Sequence, residues 1–351
     1  MTSAIDIDYR PSDLSGMECL VLGGGGFLGI NLCNRLVTCG ASVTALGRSL
    51  AWPNALDPRV GWTLGHLDDI APLKEAIRGR DVVFHLASSS IPTASNQNPL
   101  ADLEANVRTT VQLLDVCRGN GVRKLIFASS GGAVYGRSET LPIPENSPTE
   151  PMSAYGISKL TSEKYLALYR HLHGLDYQIL RVANAYGRYQ VPHRGQGVVT
   201  TMISRALSGK PLEVWGTGHA VRDFVHVDDV VAAMIKACFY TGPCKIMNVG
   251  SGSGLSINQL CYDIETILAR GPLLRTYKAT QTNGVPANIL DTSLIKRELS
   301  WQPRVSWLAG LRHTVHWMAE ATQPRIRATS GGERIIRSNE ERPAAFATQR
   351  G

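Results

Sequence analysis

A glycine-rich turn between an apolar run and an amphipathic segment restricts the fold of this chain more than any other feature. Residues 17–22, Met-Glu-Cys-Leu-Val-Leu, are typical of a buried strand, and residues 30–37 have the pattern of a helix. Between them, Gly23, Gly26 and Gly29 recur at every third position. Glycines in such a unit permit a tight turn and let backbone N–H groups approach a pyrophosphate at a helix N-terminus. The pattern predicts a dinucleotide-binding unit.

Short apolar runs recur through the first half of the chain, separated by segments with helical periodicity. The runs are residues 42–46, 62–67, 81–86, 124–129 and 177–181. Strands that alternate with helices indicate a parallel sheet covered by helices on both faces. The predicted fold class is therefore α/β, a doubly wound parallel (Rossmann) sheet with a smaller C-terminal substrate-binding region.

The domain boundaries are predicted from the points at which this alternation stops. Residues 16–182 are assigned to the dinucleotide-binding Rossmann domain, to which residues 223–250 return. Residues 183–222 and 251–322 have a less regular pattern and are assigned to the substrate-binding region. Residues 323–351 are rich in Arg, Ser, Gly and Pro and are predicted to form a disordered basic tail.

Charge and cysteine usage exclude several classes of partner. The net charge of +7 lies partly in the basic C-terminal segment and is not accompanied by an aromatic-basic motif, so we expect no nucleic-acid partner. The sequence has no run of 18 apolar residues and no signal-peptide pattern, so we expect no membrane partner. Its seven cysteines lack Cys-x-x-Cys spacing, which predicts reduced, buried thiols and a cytoplasmic location. No spacing in the sequence indicates a metal site.

Tyr155 and Lys159 lie four residues apart in a segment, about residues 154–173, that is predicted to be helical, so they share one helix face. An ammonium group at about 4 Å, with an effective dielectric constant of about 20, stabilises a phenolate by roughly 4 kcal/mol, at most about three pKa units. Such a tyrosine can accept a hydroxyl proton as a hydride leaves the same carbon. An isolated pair would equally indicate an ordinary amphipathic helix, but the glycine-rich turn favours the catalytic interpretation.

Five further segments form a pattern that is found together in one family. They are His85-Leu-Ala87, Ser129-Ser-Gly-Gly-Ala-Val-Tyr-Gly136, Leu180-Arg-Val-Ala-Asn184-Ala-Tyr-Gly187, Gly216-Thr-Gly-His-Ala-Val-Arg222-Asp-Phe-Val-His-Val-Asp-Asp229 and Asn248-Val-Gly-Ser-Gly252. Over about residues 17–320 the chain resembles an extended short-chain dehydrogenase/reductase, and within that family the nucleotide-sugar epimerase branch typified by UDP-galactose 4-epimerase.

The resemblance implies a homodimeric nucleotide-sugar 4-epimerase that acts through a transient 4-keto sugar and a bound NAD. It implies that Tyr155 takes the sugar O4 proton and that Lys159 binds the nicotinamide ribose and lowers the tyrosine pKa. The other implied cofactor contacts are Gly23, Gly26, Phe27, Leu28, Gly29, Arg48, Leu67, Ala87 and Asn106. The implied substrate contacts are Ser89, Ser130, Asn184, Arg222 and Asn288, of which Asn184 and Arg222 bind the diphosphate. An ion pair with Asp223 is the alternative interpretation of Arg222.

Two departures from the family pattern affect the predicted site. Gly131 stands where a Ser or Thr would hydrogen-bond the sugar O4, so Ser130, or Ser89 and Ser90, are expected to supply the hydroxyl and Ser130 is included among the catalytic residues. The second strand ends in Gly47-Arg48 and not in an acid. Because an arginine there suits a 2′-phosphate, NADP is an alternative to NAD.

Residues at several of these positions favour or disfavour particular reactions of the family. The segment Gly131-Gly-Ala133 contains no acid or base, which disfavours a 4,6-dehydratase and a decarboxylase. Asn288 aligns with a bulky residue that limits sugar size, which predicts that N-acetylhexosamines are accepted. An NADPH-dependent nucleotide 4-ketosugar reductase remains an alternative because of Arg48, and a catalytically inactive cofactor-binding protein remains one because of Gly131.

Overall fold

The computed structural model describes residues 14–50, 55–88, 95–192, 197–279 and 285–322. The strands are β1 (Glu18–Leu22), β2 (Ser42–Gly47), β3 (Gly61–Leu64), β4 (Val82–His85), β5 (Lys124–Ser130), β6 (Asp176–Val182), β7 (Asn184–Tyr186), β8 (Leu212–Trp215), β9 (Val221–His226), β10 (Ile246–Val249), β11 (Gly254–Ser256), β12 (Arg275–Lys278) and β13 (Ala287–Asn288). The predicted tail, residues 323–351, lies outside the described residues.

Helices connect most of these strands. They are α1 (Phe27–Thr38), α2 (Ile70–Ile77), α3, α4 (Ala154–His173), α5 (Val198–Leu207), α6 (Val227–Ala237), α7 (Ile257–Ile267), α8 (Ser293–Leu299) and α9 (Trp307–Thr322). Helix α3 comprises Pro99–Leu103, a π-helical turn at Glu104–Arg108 and Thr109–Gly119. None of the helices in the described ranges is long and apolar enough to span a membrane.

The main sheet has seven strands in the order β10-β6-β5-β4-β1-β2-β3, and each neighbouring pair is parallel. The strand order reverses between β1 and β4, so the carboxyl ends of these two strands form a crevice, the place where doubly wound sheets bind ligands. The predicted α/β doubly wound sheet is therefore confirmed.

Alternating side chains of β1 show how this sheet is buried on both faces. Cys19 and Val21 face a core that includes residues of α1 and α6, whereas Leu20 and Leu22 face a core that includes residues of α2, α3 and α4. This alternation follows from the two-residue repeat of a strand, and burial on both faces explains why Cys19–Leu22 are all apolar.

A second sheet, in the order β11-β9-β13 with β7 paired to β9, belongs to the C-terminal half of the chain. Strand β10 joins the main sheet at its edge, next to β6. Residues 223–226 belong to β9 and pair in the second sheet, and the domain boundaries stay a prediction. A third core, formed mainly from residues of α5, α7 and α9, packs this half together.

Candidate active site

The glycine-rich turn joins the end of β1 to the start of α1. Gly23 has φ of +83°, and a Cβ there would lie 2.9 Å from the Ala87 backbone nitrogen. A Cβ on Gly29 would lie 2.2 Å from the Gly23 carbonyl oxygen. No larger residue fits at these two positions, and the turn is therefore held tightly against the end of β4.

The N-terminus of α1 has the properties of an anion site. Its N-cap is Gly26, no side chain caps it, and its first turn, which contains Phe27 and Leu28, has no acidic residue. Neither a capping side chain nor an acid in the first turn of α1 therefore offsets the partial positive charge of the helix start. The turn and the helix start together fit the pyrophosphate of a dinucleotide.

The end of β2 lacks the expected acid for a packing reason. A Cβ on Gly47 would lie 2.9 Å from Cη2 of the Trp62 indole, and a Cβ on Gly25 would meet the same atom at 2.9 Å. Trp62 on β3 thus occupies the space next to both glycines, a role that sequence reasoning missed. Arg48 follows as an exposed residue, and Leu67 is buried in the core beneath α2.

The tyrosine helix α4 is fixed at its first turn. Ser153 is the N-cap, and its hydroxyl accepts a hydrogen bond from the Gly156 N–H at 3.1 Å. The Tyr155 N–H donates to the Ser95 hydroxyl at 3.0 Å. Because Gly156 has no side chain, the helix packs against the Ala133 carbonyl, 2.6 Å from where a Cβ would lie. This close approach brings Tyr155 to the end of β5.

Ser130 contacts the Tyr155 hydroxyl by a hydrogen bond. Burial raises the pKa of Tyr155 to about 12, and the hydrogen bond from Ser130 opposes that rise because a donated bond stabilises the phenolate. The nearby Asp102 carboxylate also raises this pKa, and the lowering effect expected of Lys159 stays a prediction. The Lys159 ammonium donates to the Ala128 carbonyl at 2.9 Å and lies 5.8 Å from the centroid of the Tyr155 ring.

Lys159 is itself almost fully buried. Burial lowers its pKa to about 8, and the Glu163 and Asp102 carboxylates counteract that effect. The ammonium also lies 4.8 Å from the centroid of the Phe127 ring. Since its pKa stays above 7, most Lys159 side chains are charged at neutral pH.

The π-helical turn of α3 carries Asn106, the residue predicted to brace the cofactor side of the site. The Asn106 amide donates to the Asp102 carbonyl at 2.9 Å and to the Asp102 carboxylate at 3.2 Å. Its Oδ1 accepts a hydrogen bond from the Ser88 hydroxyl at 3.3 Å. Asn106 thus lies next to the segment that follows β4 and Ala87, and π turns of this kind occur often at functional sites.

The glycine at position 131 also has a packing cause. A Cβ there would lie 2.5 Å from Cδ1 of Leu290, so a serine or threonine would collide with that side chain. Its N–H donates to the Val182 carbonyl at 2.9 Å, which fixes the backbone. The hydroxyl next to Tyr155 comes from Ser130 instead. Ser89 and Ser90, the other candidates, lie outside the described residues.

Asn288 lies directly beside Gly131. Its side chain is buried, and its amide nitrogen donates to the Gly131 carbonyl at 3.1 Å. In the second sheet Asn288 on β13 is the cross-strand partner of Arg222 on β9. The effect of Asn288 on sugar size stays a prediction.

Arg222 and Asn184, the residues predicted to bind the diphosphate, lie on β9 and β7 of the second sheet. Within the described residues Arg222 has no carboxylate partner: its guanidinium donates to the Val221 carbonyl at 2.8 Å, and burial alone lowers its pKa. Asn184 donates to the Asp223 carbonyl oxygen at 3.1 Å. The alternative of an Arg222–Asp223 ion pair is wrong, because the buried Asp223 carboxylate accepts hydrogen bonds from Ser251, Gly252 and Leu290.

A buried ion pair behind the site was not predicted from the sequence. Glu163, one helical turn after Lys159, pairs with Arg181 of β6 at 2.6 Å, and Ser129 donates to the same carboxylate at 2.5 Å. The available signal was an arginine that directly follows the apolar residues Ile179 and Leu180 of β6. No cluster of three or more histidines, cysteines or acids arranged to hold a metal occurs in the described parts of the chain.

The Rossmann sheet, the glycine-rich turn and the Tyr155–Lys159 pair define a nicotinamide-dependent enzyme of the short-chain dehydrogenase/reductase class. The model of the NAD dependent epimerase/dehydratase family matches residues 19–250, and the chain belongs to that family. The predicted family and the predicted NAD cofactor are thereby confirmed.

Individual relatives agree with this assignment. The chain is 32% identical over 315 residues to the UDP-glucose 4-epimerase of Mycolicibacterium smegmatis, covering 88% of this chain and 100% of that one. Its fold is similar to that of the UDP-glucose 4-epimerase from Thermotoga maritima solved with UDP-glucose, with 33% identity and a TM-score of 0.84. The match covers 88% of this chain and 100% of that one. The UDP-glucose 4-epimerase of Thermus thermophilus, solved with NAD, is 31% identical with a TM-score of 0.82. The match covers 87% of this chain and 100% of that one.

Proposed function

We propose that this chain is a 4-epimerase of nucleotide sugars, acting on UDP-hexoses and UDP-N-acetylhexosamines through a transient 4-keto sugar. One continuous set of contacts supports the proposal. Tyr155 hydrogen-bonds Ser130, the adjoining Gly131 accepts a hydrogen bond from Asn288, and Asn288 is the cross-strand partner of Arg222. This chain of neighbours supports a single site in which Tyr155 is the proton acceptor and Arg222, which has no carboxylate partner among the described residues, binds the diphosphate.

The reaction requires removal of a hydride from C4 and of a proton from O4, and the return of both. NAD, held by the glycine-rich turn, Asn106 and Lys159, would supply a hydride acceptor and donor and a positive charge that favours the tyrosinate. Tyr155, as the phenolate, takes the O4 proton while the C4–H bond breaks and the C4=O bond forms. Ser130 donates a hydrogen bond to the tyrosine oxygen, and the Lys159 charge stabilises its anionic form. After the keto sugar has rotated to present its other face, Tyr155 returns the proton to O4, and no reagent is consumed.

Arg222 is proposed to hold the substrate diphosphate while the sugar turns. A guanidinium suits bidentate contact with phosphate oxygens, and its partial burial strengthens that contact. Asn184, on the neighbouring strand, is proposed to add a hydrogen-bond donor. A diphosphate anchor remote from C4 lets the keto sugar rotate without leaving the protein.

Replacing Arg222 by methionine is expected to weaken binding of UDP about 10- to 100-fold, because one charge-assisted contact contributes about 1.5–3 kcal/mol. Titration calorimetry with UDP measures this directly. Arg297→Met is the matched control, since Arg297 is an exposed residue of α8 paired with Glu298. A Kd of Arg222→Met equal to that of the control would contradict the diphosphate role.

N-acetylhexosamines are included as substrates because of Asn288, a shorter side chain than the bulky residue of glucose-restricted relatives. The proposal is tested by offering UDP-N-acetylglucosamine and UDP-glucose in parallel. Turnover of UDP-glucose alone would limit the substrate class to simple hexoses.

We also propose that the enzyme is a homodimer that pairs through α3 and α4. Helix α3 exposes the large apolar side chains of Leu100 and Leu103. Helix α4 exposes those of Ile157, Leu168 and Leu172, which recur along one face of the helix. Sedimentation is expected to give twice the chain mass of 38.1 kDa. The double variant Ile157→Lys, Leu168→Lys is expected to sediment as a monomer, and a monomeric parent protein would contradict the proposal.

A cytoplasmic location is proposed on the evidence of the cysteines. All seven are free thiols, and six of them are buried. A fold that keeps this many unpaired thiols suits a reducing compartment. Localisation of the tagged full chain by cell fractionation tests this.

A further inference from the structure

Asp102 is a buried acid that the proposed reaction does not use. It lies on α3, 3% exposed, directly before the π-helical turn. The Ser158 hydroxyl donates to its Oδ2 at 2.5 Å, and the Asn106 amide donates to its Oδ1 at 3.2 Å. Burying a carboxylate is costly unless its charge and both oxygens are compensated, so this position calls for a physical explanation.

The two donors come from the two helices that build the site. Ser158 lies on α4 between Tyr155 and Lys159, and Asn106 lies in the π turn of α3. One carboxylate therefore fixes the register of the tyrosine helix against the turn that carries Asn106. An asparagine at position 102 would turn an amide N–H towards either the Ser158 hydroxyl or the Asn106 amide. An apolar side chain there would leave both donors without an acceptor in Asp102's place.

The charge of Asp102 also acts on the Tyr155–Lys159 pair. It raises the pKa of both groups, since a nearby anion favours the ammonium and disfavours the phenolate. The other ionisable groups facing Lys159 are Glu163 of α4, which is itself paired with Arg181 of β6, and the His85 imidazole of β4. The compensation of a buried Lys159 is therefore shared between Asp102 and an already paired glutamate.

We propose that Asp102 is a positioning residue of the Tyr155–Lys159 pair: its carboxylate joins the π turn of α3 to the tyrosine helix, and its charge keeps Lys159 in the ammonium form. The inference rests on the proposed function only for its kinetic consequence. The effect on Lys159 is a property of the folded protein and can be measured without turnover.

The charge has a consequence of definite sign. Without it, Lys159 loses its proton at lower pH, and Tyr155 also deprotonates at lower pH. In a profile of kcat/KM against pH, the acidic limb reports formation of the tyrosinate and the alkaline limb reports loss of the ammonium. Both limbs are therefore expected to move to lower pH. A merely structural loss would lower the plateau and leave both limbs in place.

The test compares Asp102→Asn with Ser158→Ala, which removes a hydrogen bond to the carboxylate and keeps its charge. The apparent pKa of Lys159 is read from the Cε chemical shift of ¹³C-lysine-labelled full chain, with Lys159→Arg for assignment. Asp102→Asn is expected to lower that pKa by roughly one unit, the effect of one charge several ångströms away. Ser158→Ala and Asp102→Glu are expected to leave it within about 0.3 units.

The kinetic arm uses the same variants with UDP-glucose. Asp102→Asn is expected to move both limbs by roughly one pH unit, and Ser158→Ala only to lower the plateau. An unmoved Lys159 titration in Asp102→Asn, or a protein that no longer folds, would overturn the assignment, because either result makes the carboxylate purely structural. A moved Lys159 titration in an enzyme without epimerase activity would uphold the assignment and refute the proposed function instead.

Discussion

Replacing Tyr155 by phenylalanine is expected to lower kcat for epimerisation by a factor on the order of 10²–10⁴, the usual contribution of a positioned proton acceptor. The change deletes only the hydroxyl that hydrogen-bonds Ser130, and the ring keeps its place next to Lys159. The Kd for UDP and the unfolding midpoint are therefore expected to stay close to those of the parent protein. Initial-rate measurements with UDP-glucose, combined with calorimetry, separate these quantities.

Tyr165→Phe is the matched control for this prediction. Tyr165 also lies on α4, and its side chain packs against the core that α2, α3 and α4 form on one face of the main sheet. Its removal is expected to change kcat by less than about twofold, because surface-type hydroxyl deletions are usually within ±0.5 kcal/mol. If Tyr155→Phe retained more than a tenth of the parent kcat, Tyr155 would not be the proton acceptor.

Glu163→Gln is expected to lower the free energy of unfolding by about 3–5 kcal/mol. Glu163 and Arg181 are each only 2% exposed, so the substitution leaves a guanidinium buried without its carboxylate. Native proteins are stable by about 5–15 kcal/mol, so this loss is a large share of the total. Denaturant unfolding of the full chain, followed by tryptophan fluorescence, gives the difference in midpoint.

An exposed pair provides the comparison. Glu75→Gln breaks an ion pair with Arg78 on the surface of α2 and is expected to cost no more than about 1 kcal/mol. The double variant Glu163→Gln, Arg181→Met is expected to recover much of the lost stability, because no buried charge is then left unpaired. Equal effects of Glu163→Gln and Glu75→Gln would contradict the view of Glu163–Arg181 as a buried, coupled pair.

The sequence predicted those elements whose ends are set by local chemistry. Helix α4 runs from Ala154 to His173 as expected, because Ser153 caps its start and Gly174, with φ of 72°, ends it in the left-handed conformation. Most strands of the main sheet were predicted because their buried residues form apolar runs, such as residues 82–84 of β4. The glycine-rich turn was predicted because Gly23, Gly26 and Gly29 lie close together in the sequence, within one strand–turn–helix unit.

Long-range packing set the features that the sequence did not predict. Gly131 is explained by Leu290, and the glycine at the end of β2 by Trp62 of another strand. The pairing of residues 223–226 with the second sheet depends on partners in β11 and β13. The raised pKa of Tyr155 follows from burial and from the nearby Asp102 carboxylate, and neither can be read from the spacing of Tyr155 and Lys159.

Interconversion of nucleotide sugars by the purified full chain, without added cofactor, tests the proposed function most directly. UDP-glucose and UDP-N-acetylglucosamine are supplied separately, and the products are resolved by chromatography and ¹H NMR. We expect each to reach equilibrium with its C4 epimer, with no net oxidation and with NAD released when the protein is denatured. A protein that leaves both sugars unchanged, with or without added NAD, but reduces a nucleotide 4-keto sugar with NADPH would contradict the proposal.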